Sequence, residues 1–179
     1  MAIVQFTIRP YRPEDFRILW EIDQSCFPEG ISYTQFELNS YISRSNSFTL
    51  VAEEDSNAKR PGPEEFSPRV DGSHVVGFLV GERKRRGRGH IITIDVRAQA
   101  RRHRVGSALL NSAEEQVRSW KCSAIRLETA VDNITALSFY KRHGYNVIKT
   151  VPRYYSNGLD ALLLEKDLPS CLPPDNLLK

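Results

Sequence analysis

The chain has no uninterrupted apolar run longer than four residues. A membrane-spanning helix needs about 20, so neither such a helix nor a membrane partner is expected. Residues 1–10 lack the apolar core of a signal peptide, and a cytoplasmic protein is expected. Cysteine is scarce. Cys26, Cys122 and Cys171 are far apart and include no Cys-x-x-Cys or Cys/His pair at ligand spacing. That argues against a disulfide framework and against a zinc site, and for reduced thiols. His74, His90, His103 and His143 show no ligand spacing either and read as structural or exposed, so no metal is expected. Apolar residues at 40% and charged residues at 26% exclude a disordered chain or a fibre. A length of 179 residues suits one domain, read over 1–168, with a fraying tail at 169–179.

What is present in excess is positive charge at one place. Residues 83–104 hold nine Arg or Lys against one acid, Asp95, a net of +8 in a chain whose total is +3. The remainder is therefore acidic, at −5. A cationic middle in an acidic body points to an anionic partner, a nucleotide cofactor or a nucleic acid.

Alternation and helical spacing give the order β-α-α-β-β-β-α-β-α-β-β. Strands are expected at 3–9, 48–53, 75–83, 90–96, 124–131, 146–151 and 161–166. Helices are expected from Pro13, over 34–44 with Phe36, Leu38, Tyr41 and Ile42 as its apolar members, from Val105 for about four turns, and from a cap at Asp132 or Asn133 through Tyr140. The basic turn 84–89 predicts a hairpin. The stretch 55–73 has three prolines and many charges and reads as a long mobile, dispensable loop. The expected fold class is α/β (mixed α+β), one mixed sheet flanked by helices.

The most informative local pattern is a strand ending at Val96, a basic turn, and a long helix opening at Val105-Gly106-Ser107. Uncapped amides at a helix start attract anions, Gly106 lets a ligand approach the backbone, and Ser107 adds a hydroxyl. The same residues also describe a solvated turn capping a core helix.

Arg101-Arg102-His103-Arg104-Val105-Gly106 resembles the pyrophosphate-binding turn of GNAT N-acetyltransferases, Arg/Gln-x-x-Gly-x-Gly/Ala, with Arg104 in place of the first glycine. Tolerating Arg104 there requires a negative φ or a side chain turned from the phosphates. Asn133, Ala136, Tyr140, Gly144 and Tyr145 resemble the family's second signature. Three features are similar to the ribosomal-protein-alanine N-acetyltransferase group: Glu128 before the Asn helix, Arg153-Tyr154-Tyr155 with Asp160-Ala161, and Cys26-Phe27-Pro28 with Tyr33 and Phe36.

The resemblance implies a transferase that moves acetyl from acetyl-CoA to a primary amine, above all the N-terminal α-amine of a protein such as a ribosomal protein. It implies Glu128 as base and Tyr140 as acid. Ile94, Asp95, Val96, Arg101, Arg102, His103, Arg104, Val105, Gly106, Ser107, Asn133 and Tyr140 would bind the cofactor. Phe27, Pro28, Tyr33, Tyr154 and Tyr155 would line the acceptor groove. The residues alone leave other readings open: Glu128 facing solvent or paired with Arg126, Tyr140 as a core aromatic, and the tyrosines as surface aromatics. A small-molecule acceptor, or an RNA- or ribosome-binding module built on the arginines, remains an alternative function; specific DNA is not expected.

Overall fold

The computed structural model describes residues 5–55 and 74–169, so the 55–73 loop beyond Asp55 and the tail beyond Pro169 lie outside the described residues. The chain runs β1 (Phe6–Pro10), α1 (Phe16–Cys26), α2 (Gln35–Ile42), β2 (Ser47–Glu54), β3 (Val75–Lys84), β4 (Arg88–Val96), α3 (Val105–Ser119), β5 (Ala124–Ala130), α4 (Ile134–Arg142), β6 (Asn146–Val151) and β7 (Ala161–Asp167). The strands form one mixed sheet in the order β1-β2-β3-β4-β5-β7-β6, with β4–β5 the parallel pair.

Local chemistry explains the helix ends. A 3-10 turn at Pro13–Asp15 precedes α1, where Asp15 accepts from the Arg12 amide at 2.8 Å and pairs with Arg9. Thr34 and Glu37 form a capping box on α2. Asn133 caps α4 by accepting from the Ala136 amide at 3.0 Å, and Gly144 follows the helix at φ +86°.

Two cores flank the sheet. Val105, Leu109, Ala113 and Val117 of α3 bury their stripe against Leu79, Ile91, Ile125 and Leu127. On the other face Ile18, Leu19, Ile22 and Leu38 pack on Val51, Phe78 and Val80. Phe36, expected among the apolar members of the second helix, is instead 83% exposed. Two residues from Leu38 is about 200° around a helix, so both cannot face the sheet.

One irregularity positions the site. The β3–β4 register steps from Gly81↔Ile91 to Val80↔Thr93, leaving Ile92 as an extra residue. Such a bulge bends the strand and resets which face each later residue addresses. The β4–β5 ladder covers only Arg88↔Ala124, Gly89↔Ile125 and His90↔Arg126. Beyond it β4 pairs with β3 and β5 with β7, so the two parallel strands part.

Candidate active site

Glu128 stands on β5 two residues past the last shared rung. Its Oε2 lies 2.7 Å from His90 Nε2 and accepts from the Tyr154 hydroxyl at 3.3 Å. His90 Nδ1 lies 3.5 Å from Glu82 Oε1. Glu82 is buried; burial acts to raise its carboxyl, but hydrogen bonds from Lys84 and Arg44 outweigh this and hold it below its ordinary range. Arg126, the alternative partner for Glu128, pairs with Glu165 instead, because β5–β7 pairing sets Arg126 opposite Glu165. His90 therefore joins the site, contrary to its reading as merely structural or exposed. Its partners are 8 and 38 residues away in sequence, and only the sheet register brings them together. The one sequence signal was the 84–89 hairpin, which sets His90 opposite Glu82.

At the other arm of the opening, α3 begins. Arg104 is its N-cap and adopts φ +65°, and Arg102 has φ +67°, so the chain enters the helix through two left-handed residues. Of the two conditions set for Arg104, a negative φ is not met: the turn needs the conformation a glycine takes most readily. Among the described residues no side chain caps the helix, leaving the first amides, of Val105, Gly106 and Ser107, without an intrahelical or capping partner there. A Cβ built on Gly106 would sit 3.5 Å from Phe139 and 3.8 Å from Val96, ordinary contacts. His143 Nδ1 lies 2.9 Å from the Phe139 carbonyl, which only an N–H can satisfy, and His143 Nε2 lies 3.0 Å from the Ser107 hydroxyl oxygen. Arg101 folds back, donating from Nε to the Val96 carbonyl at 3.0 Å and from Nη2 to Cys26 Sγ at 3.5 Å. Arg102 and Arg104 stay exposed, and His103 is half-buried.

Tyr140 of α4 is 6% exposed, with edge-on contacts to Phe139 and Tyr145. Among the described residues its hydroxyl has no hydrogen-bond partner. Burial, then the nearby Asp95, raise its phenol well above the ordinary value, so it is protonated at neutral pH and its gap to a thiol exceeds the about 1.5 units of reference compounds. Ile94 and Val96 pack against the α3 core, while the Asp95 carboxyl is fully buried and accepts from Thr93 Oγ1 at 3.2 Å. Burial, then Asp23, push Asp95 well above the usual carboxylate range.

Two loops meet over the opening. The Ser156 hydroxyl donates to the Gly30 carbonyl at 3.0 Å, tying the β6–β7 connection to the α1–α2 loop. Asp23 accepts from the Tyr33 amide at 2.8 Å, and the Tyr33 hydroxyl donates to the carbonyl of Ile92, the bulge residue, at 3.3 Å. Tyr154 and Tyr155 stack edge-on at 5.0 Å. Burial, then the charge on Glu128, raise the Tyr155 phenol to about 12. Phe27 is half-buried at the end of α1 and Pro28 is exposed; among the described contacts neither touches Glu128.

The parallel strands thus part beside an uncapped helix start, with a carboxylate on one arm. The profile of the acetyltransferase (GNAT) family matches residues 16–145, and the chain belongs to that family. It is an N-acetyltransferase with acetyl-CoA as donor. The chain is 39% identical over 110 residues to an uncharacterized N-acetyltransferase of Methanocaldococcus jannaschii, covering 61% of this chain and 69% of that one. It is 36% identical over 93 residues to N-alpha-acetyltransferase 30 of Dictyostelium discoideum, and the match spans half of each chain. Among solved structures it resembles Ard1 from Thermoplasma volcanium at a TM-score of 0.73 and 29% identity, over 93% of this chain and all of that one. The residues fit the donor: free amides open α3 beside two exposed arginines, and Gly106 presents no side chain. Among the described residues no helix is long and apolar enough to cross a membrane.

Proposed function

We propose that the acceptor is the α-amine of a protein N-terminus and that Glu128 is the general base. The observation that carries this reading is the Glu128 carboxylate at the parting of β4 and β5, held by His90 and Tyr154. An α-amine titrates near 8 and is already partly neutral at pH 7, so one carboxylate, directly or through a water, completes its deprotonation; a lysine near 10.4 asks for more. The bound donor supplies an activated thioester acyl group. Val105, Gly106, Ser107, Arg102 and Arg104 hold its phosphates by amides and charge. Backbone groups of Ile94, Asp95 and Val96 orient the acyl arm. As the acid, Tyr140 would hydrogen-bond the departing thiolate through its Oη–H, while solvent returns to the sulfur the proton that Glu128 takes from the amine. Tyr33, Tyr154 and Tyr155 flank the acceptor under the joined loops.

The likeness of Arg153-Tyr154-Tyr155 to the ribosomal-protein-alanine group makes a ribosomal-protein N-terminus the first acceptor to examine. Incubation with acetyl-CoA and matched peptides, one Ala-started, the other N-terminally blocked with a free lysine, tests the reading by mass. A gain of one acetyl on the first peptide alone is expected. Transfer to the lysine peptide, or to small amines but neither peptide, contradicts it.

A further inference from the structure

Resting on that reading, the geometry points to a cationic subsite beside Glu128 that selects acceptor peptides with an acidic side chain two to four residues after the amine. A pocket of about 400 Å³ is lined by Lys84, Arg85, Arg88, Gly89, His90, Arg126, Glu128 and Leu163. Four of these carry fixed positive charge, against the single carboxylate proposed as the base. The carboxylates around it do not balance them. Arg88 and Arg126 share Glu165, and Lys84 and Arg44 share Glu82. Arg85 is exposed and has no ion-pair partner among the described residues. The pocket therefore keeps a positive surplus.

The spacing sets where the acid must lie. Arg126 precedes Glu128 by two residues on the same strand face, about 7 Å at strand rise, and Arg88 stands opposite Ala124, about 7 Å further. An extended peptide covers those distances in two to four residues. With its amine at Glu128, a carboxylate there meets guanidinium groups able to bind it in bidentate fashion. Because the cations are partly exposed, the gain belongs mainly to encounter and KM and is screened by salt.

The test compares two Ala-started peptides, Ala-Asp-Glu-Ala and Ala-Asn-Gln-Ala in the same flanking sequence, with wild type, Arg85→Glu and Arg126→Gln. Wild type should show about tenfold higher kcat/KM on the acidic peptide at low salt, carried by KM, and the preference should fall at 0.5 M salt. Either substitution should shrink the preference at least threefold while the neutral peptide keeps its turnover. Thermal melting and turnover of the neutral peptide report whether each variant is folded. Equal kcat/KM for the two peptides in wild type, or a preference unchanged in both variants, overturns the subsite. Tighter retention of an RNA oligomer than of the acidic peptide by the same arginines overturns it as well. Failure to acetylate either peptide would instead contradict the α-amine reading beneath it.

Discussion

His90 on β4 and Glu128 on β5 face each other at 2.7 Å across the point where the two strands cease to pair. Neither residue could hold the other without the short parallel ladder that ends at His90 and Arg126. The hydrogen bond orients the carboxylate, and Glu82 behind His90 orients the ring. Replacing His90 by Ala should therefore lower kcat by about tenfold with little change in KM for acetyl-CoA, as loss of an orienting hydrogen bond does. His90→Gln, which keeps an N–H near the same place, should recover part of the loss. Equal activity of wild type and His90→Ala would remove His90 from the account.

Gly106 gives a clean probe of the donor site. The Cβ of Ala would make only ordinary contacts with Phe139 and Val96, so Gly106→Ala should keep the melting temperature within a few degrees. Gly106→Val adds bulk where the donor must approach and should weaken acetyl-CoA binding at least tenfold by calorimetry. Unchanged affinity in the valine variant would place the phosphates elsewhere.

Arg104 combines strain with charge. Its φ of +65° costs a non-glycine residue about 1 kcal/mol, so Arg104→Gly should hold or raise the melting temperature. The same change removes a cation beside the proposed phosphate site. Acetyl-CoA affinity should fall, and its dependence on salt should weaken. Loss of stability without loss of affinity would contradict both halves.

Asp23 predicts a pH signature. Burial raises its carboxyl to about 6, so between the unfolded value and 6 the folded protein keeps a proton the unfolded chain has lost. Its contribution to stability is present at low pH and fades as pH rises from about 4 through about 6. Asp23→Asn should flatten the melting-temperature profile across that window. An unchanged slope would show that Asp23 does not titrate there.

Much of the fold was legible because its determinants are local. The Asn133 cap and the left-handed Gly144 both act within one turn of α4. The α3 stripe is a plain helical repeat, and strand alternation gave β2 to β7 to within two residues. The site was legible only in part. Glu128 and Tyr140 stand out by resemblance, but the contacts that hold the cleft join distant residues: His90 to Glu128, Arg101 to Cys26 75 residues away, and Ser156 to Gly30 126 residues away. Those meetings follow from strand register and loop docking, which no spacing rule encodes. The left-handed Arg104 escaped for a related reason: the turn imposes its φ, and arginine carries no local signal for it.

The central claim is that Glu128 removes the proton from an α-amine. The most direct measurement is the pH–rate profile of Glu128→Gln on a short Ala-started peptide beside that of wild type. Glutamine keeps the shape and loses the base, so kcat at pH 7 should fall by about 10²–10⁴ while acetyl-CoA affinity stays. Raising the pH toward 9 should recover part of the loss, because solvent then supplies the neutral amine. Near-wild-type turnover at pH 7, or loss of activity together with stability and no recovery at high pH, would contradict the account.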